Sequence, residues 1–249
     1  YRDGAGTVKG DIHTLSTYII GDIHNSIKEF KSIIDQIAPS RQDEIVLLGD
    51  AFDRGGENPD PVGVYFSILR LSMNVNVKWV RGNHDHMLAE YIYFYYGMVE
   101  KKNCNIPPYQ YNSFDLMKDR LTQVDLLNFA DLIMGLPLHI EINIGSKKYL
   151  LAHAMTFDTA HGAREDTLYL EGLEHMGDYW RQGVKGYVSL VGHTDSSYQY
   201  NNPCGRYLDG NHSIWVNDLG NVYMLDCGCG LPNGRLACIC LETGERFYA

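Results

Sequence analysis

No run of about 18 apolar residues occurs anywhere in the 249-residue chain, which excludes a membrane-spanning helix as read from sequence. No apolar leader is expected either, since the sequence opens Tyr1-Arg2-Asp3-Gly4 without an apolar stretch. Positive charge is scarce. Lys and Arg number 21 against 31 Asp and Glu, giving a net charge of −10 and a pI near 5.4. A chain this acidic has no overall attraction for nucleic acid or an anionic membrane surface. Local carboxylates can still draw divalent cations. No linker and no low-complexity stretch divides the chain. These absences lead us to expect a cytoplasmic protein with neither nucleic acid nor membrane among its partners.

Cysteine is sparse, and its spacing is not that of a zinc finger. Besides Cys104 and Cys204 there are two CxC pairs, Cys227/Cys229 and Cys238/Cys240. Positions i and i+2 of a strand share a face, so the pairs could meet across a hairpin around a metal. Tetrahedral zinc sites use wider spacing, and the plainer expectation is small apolar side chains on neighbouring strands. Disulfides are not expected in such a chain.

What is present is an alternation of strand and helix. Residues 17–20 form a β-rich run. Residues 26–37 carry Ile27, Phe30, Ile33, Ile34 and Ile37 at helical spacing, stopped by Pro39. Residues 44–48 are a near-continuous apolar strand, as in a sheet buried on both faces. A helix over 62–71 and a strand over 75–80 follow. Residues 86–135 read as a helical insert rich in tyrosine, including Tyr91, Tyr93, Tyr95, Tyr96, Tyr109 and Tyr111. The simplest role for these rings is helix core, the other being a wall of a substrate cleft. Beyond residue 138, strands dominate. A hairpin turns at Gly145-Ser146, a strand spans 187–191, and three or four strands fill 214–248 with turns at Gly220-Asn221, Asn233-Gly234 and Thr243-Gly244. The spacing predicts one domain over 17–249 with an extension at 1–16.

Three strands end in polar strings: GDIHN at 21–25, GDAFDRGG at 49–56 and RGNHD at 81–85. In open α/β sheets, ligands bind beyond the carboxyl ends of the strands, so these strings are expected to converge. His153 and His193 each follow a later strand directly. Together they offer two carboxylates, an amide and three imidazoles: Asp22, His24, Asp50, Asn83, His153 and His193. Gly21 is expected to permit the turn that aims Asp22 and His24 together. A carboxylate can bridge two cations, and two ions about 3.5–4 Å apart hold a phosphoryl oxygen and lower the pKa of a bridging water. His84 is left for acid chemistry. GDIH also occurs at 10–13, but that copy leads into no helix, so Asp11 and His13 are expected in an exposed loop.

The order GDIH, GDxxDRG, RGNHD and two separated histidines resembles the calcineurin-like metallophosphoesterases, over roughly residues 17–240. The second motif, with its DRG, is similar to the serine/threonine phosphoprotein phosphatase branch, in particular its bacterial and bacteriophage-type members. The resemblance implies a four-layer α/β/β/α sandwich of two mixed sheets flanked by helices. It also implies roles. Asp22, His24 and Asp50 would hold one metal; Asp50, Asn83, His153 and His193 would hold the other. His84 would protonate the leaving oxygen with Asp53 holding it, and Arg54 and Arg181 would grip phosphate. Asn25 stands where the family usually has Gly, Asp85 where it usually has Glu, and Ala154-Met155 where it often has Gly-Gly. His161, in TAHGARED, is expected in a solvent loop.

The leading expectation is a phosphomonoesterase for phosphoserine or phosphothreonine, with phosphotyrosine in reach, in which water held by two divalent metals attacks phosphorus. Manganese is the expected metal, with iron or zinc as alternatives. The substrate would be a phosphorylated protein or a small phosphoester. The runner-up is a dinucleoside polyphosphate hydrolase using the same centre, with Lys101, Lys102 and the tyrosines as nucleotide contacts. A third reading, a phosphate-binding regulator without catalysis, would be expected to have lost His84, Asp53 or a metal ligand, and all are present. The sequence leaves the oligomeric state open.

Overall fold

The computed structural model describes residues 15–98, 109–158, 166–173 and 176–249. Asp11, His13, Lys101, Lys102, Cys104 and His161 lie outside those residues. Two mixed six-stranded sheets form the centre. In the first, β1 (Thr17–Ile20), β2 (Glu44–Leu47) and β3 (Asn76–Trp79) run parallel. On the other side of β1 lies β11 (Arg235–Cys240), antiparallel, which also pairs with β10 (Asp226–Cys227) and β12 (Arg246–Tyr248). The second sheet has the order β4 (His139–Ile144), β5 (Lys147–Ala152), β6 (Val188–Val191), β9 (Val222–Met224), β8 (Trp215–Asn217), β7 (Gly205–Tyr207).

Strand alternation sorts the core into three slabs, and the slabs define four layers. On β2, Ile45 and Leu47 face the helices while Val46 faces the second sheet. On β5, Leu151 faces the first sheet and Leu150 faces outward. The outer slab of the first sheet is closed by α1 (Ile27–Ile37), α2 (Pro61–Ser72), α3 (Asn83–Tyr95), α4 (Ser113–Lys118) and α5 (Gln123–Met134). That of the second sheet packs on α7 (Gly177–Gln182) through Tyr179 and Trp180, and the short α6 (Asp166–Leu170) precedes it. This is the α/β/β/α arrangement expected. Among the described residues, no helix is long and apolar enough to cross a membrane.

Local chemistry explains the boundaries. Helix α1 buries Phe30, Ile33 and Ile37 and ends at Ala38, whose φ of 41° breaks the helix just before Pro39. Asp60 caps α2 by accepting from Gly63 N at 2.9 Å, with Pro61 at the first helical position. The tail carries more elements than expected: five strands beyond residue 214, and before them β7 and a 3-10 turn at Ser196–Gln199. These pieces, like α6 and α7, run two to six residues, too short for a period to show in sequence. The two CxC pairs do not meet. Cys238 pairs with Ile20 and Cys227 with Arg235, and the five described cysteines are free thiols. Burial pushes Cys229 up to about 12, so these groups act as small apolar packing residues.

Candidate metal centre

The carboxyl ends of β1 and β2, the residues just past β3, and the ends of β5 and β6 converge on one place. Asp22 and His24 follow β1, and Asp50 follows β2. His153 follows β5 and His193 follows β6. Asn83 and His84 differ from expectation in one respect: they are the first turn of α3 rather than a loop before it. Asp85 explains this. Its carboxylate reaches back to Gly82 N at 3.2 Å and across to Ala51 N at 2.9 Å, capping the helix and tying it to the β2 loop. The shorter side chain in place of Glu therefore still spans both amides.

The backbone here is forced. Among the described residues ten non-glycine positions have positive φ, and six of them are His24, Asn25, Asp50, Asp53, Arg54 and His193. Such conformations are costly and concentrate at sites where surrounding structure holds them in place. Asn25 stands where its family counterpart is Gly because it takes φ 59°, which Asn tolerates best after Gly. Its amide then bonds Ser113 Oγ at 2.9 Å. The expectation for Gly21 is corrected. It has no positive φ, and the turn is made at His24 and Asn25. Gly21 is needed because a Cβ there would collide with the Leu225 carbonyl. Gly82 is likewise fixed by close approach, since a Cβ would fall on the Asp50 amide and carboxylate.

Two groups of metal-capable atoms result, and they share one residue. Asp22, His24 and Asp50 form the first, and Asp50, His153 and His193 the second. Asp50 Oδ2 lies 3.9 Å from His24 Nε2, 3.3 Å from His153 Nε2 and 4.0 Å from His84 Nε2. Asn83 Oδ1 completes the second group, 2.9 Å from His153 Nε2 and 3.1 Å from His193 Nδ1. Backbone acceptors orient two of the rings. His24 Nδ1–H donates to the Phe52 carbonyl at 3.0 Å and His153 Nδ1–H to the Leu48 carbonyl at 2.8 Å. Each Nε2 is thereby aimed at Asp50, the arrangement that fixes the ligating nitrogen of metal-bound histidines.

Burial opposes charge throughout this cluster. It pushes His24 down to about 3, and His193 down to about 4 with help from His153. His153 and Asp50 are buried as well, but their attraction prevails. Asp50 and Asp22 hold His153 up to about 10, and His153 with His84 holds Asp50 below the usual carboxylate range. Burial and the nearby Asp226 push Asp22 well above its ordinary value. Asp85 is raised to about 7 by burial and Asp50, and Asp226 to about 7 by burial and Asp195. A buried set of carboxylates and imidazoles that share too few protons is one that divalent cations would neutralise. Its oxygen and nitrogen donors fit manganese, iron or zinc.

His84 and its partners sit at one side. His84 Nδ1 donates to Asp53 Oδ2 at 3.1 Å, and the ring's Nε2 meets an Arg54 nitrogen at 3.2 Å. The other terminal nitrogen of Arg54 is 3.2 Å from His24 Nε2. Asp53 is fully buried and fully engaged, taking the Tyr109 hydroxyl on its other oxygen. Arg54 is exposed, so its guanidinium is open to a substrate. Arg181 is not brought in. Trp180 is buried against Trp215, with ring centroids 6.4 Å apart, and its neighbour on α7 is exposed. The Arg181 side chain makes no hydrogen bond or ion pair to the six candidate ligands among the described residues.

The insert contributes more than core. Tyr109 and Tyr91 do stack within it, at 4.8 Å. Yet Tyr109 also bonds Asp53, and the Tyr111 ring stands 4.4 Å from that of His84 while 40% exposed. Sequence reasoning left Ser113, Asp85 and Asp226 unassigned. Ser113 Oγ accepts from Asp53 N at 2.8 Å. No sequence signal singled out Ser113, and Tyr111 stood in the insert only as one of several tyrosines.

The chain matches the profile of the Calcineurin-like phosphoesterase family over residues 15–221. Among curated proteins it is similar to the "Bis(5'-nucleosyl)-tetraphosphatase, symmetrical" of Erwinia tasmaniensis, 40% identical over 142 residues, covering 56% of this chain and 44% of the relative. The protein of the same name from Serratia proteamaculans is 41% identical over 81 residues, covering 31% of this chain and 26% of the relative. The chain thus spans between a quarter and a half of the length of these curated relatives. Among solved structures, one named provisionally as a diadenosine tetraphosphatase superposes with TM-score 0.62 at 19% identity, covering 96% of this chain and 94% of that one. A protein serine/threonine phosphatase from Saccharomyces cerevisiae superposes with TM-score 0.58 at 14% identity, covering 92% of this chain and 73% of that one. Both likenesses are of fold alone.

Proposed function

The chain belongs to the calcineurin-like phosphoesterase family, and from that premise we propose that it hydrolyses dinucleoside polyphosphates at a two-cation centre. The observation that carries the reading is Asp50, whose carboxylate is common to both groups of candidate ligands. Asp22, His24 and Asp50 would hold one cation, and Asp50, Asn83, His153 and His193 the other, with manganese the first candidate. When bound, the pair supplies Lewis acidity toward phosphoryl oxygens and a water acidified to near neutrality.

The residues around the centre have their own tasks. Arg54 presents a planar fork to two phosphate oxygens. His84 would pass a proton from Nε2 to the leaving oxygen, and Asp53 fixes the ring by accepting from Nδ1. Tyr109 and Ser113 hold Asp53 in turn. The curated relatives are named for bis(5'-nucleosyl) tetraphosphates, which favours the dinucleoside reading over the phosphoprotein reading. Symmetrical cleavage of a four-phosphate chain gives two nucleoside diphosphates. The exposed Tyr111 ring beside His84 offers a face on which a base can stack.

The test compares substrates on manganese-loaded protein. Diadenosine tetraphosphate is expected to give ADP, with kcat/KM at least about tenfold above that of a phosphoserine peptide, and chelation should abolish both. Faster turnover of the phosphopeptide would restore the phosphoprotein reading. His84→Asn is expected to retain metal. Because a phosphoserine leaves as a strongly basic alkoxide, the variant should lose about 100- to 10,000-fold on the peptide, and less on p-nitrophenyl phosphate. Near-normal turnover of the peptide by the variant would remove His84 as the acid.

A further inference from the structure

Building on that reading, we propose that an open cavity beside Arg54 is the subsite for one nucleoside of the substrate. The cavity measures about 610 Å³ and lies between the start of α1, the loop after Arg54 and the loop from β10 to β11. Small-molecule pockets run from roughly 300 to 1,000 Å³, so its size suits a nucleoside with room to spare. Its position is what ties it to the reaction. Gly55, in its wall, directly follows Arg54, whose guanidinium touches both His24 and His84. The loop that carries Arg54 is thus also a wall of the cavity, and the substituent next to an Arg54-held phosphate is assigned to it.

The walls are suited to a flat ring. Gly55, Gly56 and Gly230 present backbone without side chains. A Cβ on Gly55 would lie 2.7 Å from the Asn25 and Pro59 side chains, so this loop cannot be thickened. Leu231, 42% exposed, and Pro232 add an apolar ledge. Charge then says which end of the substrate belongs here. Glu29 and Glu57 outnumber Lys28 in the lining, leaving a net negative cavity that repels phosphate. Carboxylates only accept hydrogen bonds, so they suit ribose hydroxyls and the amino groups of a base. Phosphates sit over Arg54 and the ligand cluster, and the uncharged nucleoside turns into the cavity.

The test reads binding rather than turnover. On manganese-loaded protein, calorimetry is expected to find ADP bound at least about tenfold more tightly than inorganic pyrophosphate. Leu231→Trp, which fills the cavity, and the double variant Glu29→Gln/Glu57→Gln are each expected to cut that advantage to about twofold or less, with melting temperature kept. The proposal is overturned if ADP binds no better than pyrophosphate in the parent protein, or if its advantage survives both variants. It is also overturned if an arginine-containing phosphopeptide, not ADP, loses affinity in the double variant, which would assign the cavity to a basic side chain. Failure to hydrolyse diadenosine tetraphosphate would sink the proposed reaction while leaving the ADP measurement intact.

Discussion

The two halves of the ligand cluster are built differently. The first, Asp22, His24 and Asp50, comes from adjacent parallel strands of one sheet and is buried throughout. The second borrows Asp50 from that sheet and takes His153 and His193 from the other, with His193 partly open. The first half is thus set by neighbouring strand ends, whereas the second exists only when the two sheets pack through Val46, Leu48, Leu151 and Leu190. Their protonation differs too. Burial lowers His24 and raises Asp22, while Asp50 and Asp22 raise His153. A cation therefore competes with a proton in each half, on Asp22 in the first and on His153 in the second.

Removing the shared residue should erase the contrast. Asp50→Ala is expected to lower metal content from two per chain toward zero and kcat by about 1,000-fold or more, the equivalent of several kcal/mol. Elemental analysis and steady-state kinetics check it, and retention of two metals would break the scheme. Next come variants that separate the halves. His193→Ala should leave one metal per chain, whereas His24→Ala should leave the other. Titrating each variant with manganese between pH 6 and 8 should find both losing affinity as pH falls, through Asp22 in the His193→Ala protein and through His153 in the His24→Ala protein. A pH-independent affinity in either variant would dissolve that account of its half.

A smaller effect concerns the acid behind the first half. The Asp226 carboxyl sits near 7 when folded, above its ordinary 3.8. From about pH 4 to 7 the folded state keeps a proton that the unfolded state releases, so stability falls as pH rises through that window. Asp226→Asn removes this dependence. In metal-free protein it should raise the melting temperature by roughly 5 °C or more at pH 8 and little at pH 4, given about 1.4 kcal/mol per pKa unit and 2–4 °C per kcal/mol. The smallest effect belongs to Arg181. With its side chain in solvent beside the buried Trp180, Arg181→Ala should change kcat/KM by less than about twofold, as for other surface positions. A large loss would mean that α7 closes over the centre during turnover.

Much of this was legible in the sequence because the first half of the molecule writes its chemistry locally. Each of β1 and β2 ends in a ligand string, β3 runs into RGNHD, and the apolar runs 17–20 and 44–48 are long enough to show their burial. The order of His153 and His193 after their strands was equally readable. What was not legible depends on contacts between distant parts. Tyr111 reaches His84 only after the insert folds back, and Asp226 matters only because β10 lies behind Asp22. Arg181 follows Trp180 as the family pattern asks, but Trp180 packs on Trp215 while Arg181 is exposed, and no spacing rule carries that information. Strands of two or three residues, such as β7 and β10, leave no period to read.

Strand β11 lies between β10 and β1 in the first sheet, and Thr17 N donates to Glu242 across 225 residues of sequence. A ribosome releasing this chain from its N-terminus would therefore present β1 with one flank bare until residue 240 has emerged. Pairings of such long range are slow to form and leave an unsatisfied strand exposed meanwhile. Termination between residues 193 and 235 would yield a polypeptide carrying all six candidate ligands and a permanently open sheet margin, a species suited to aggregation rather than to partial activity.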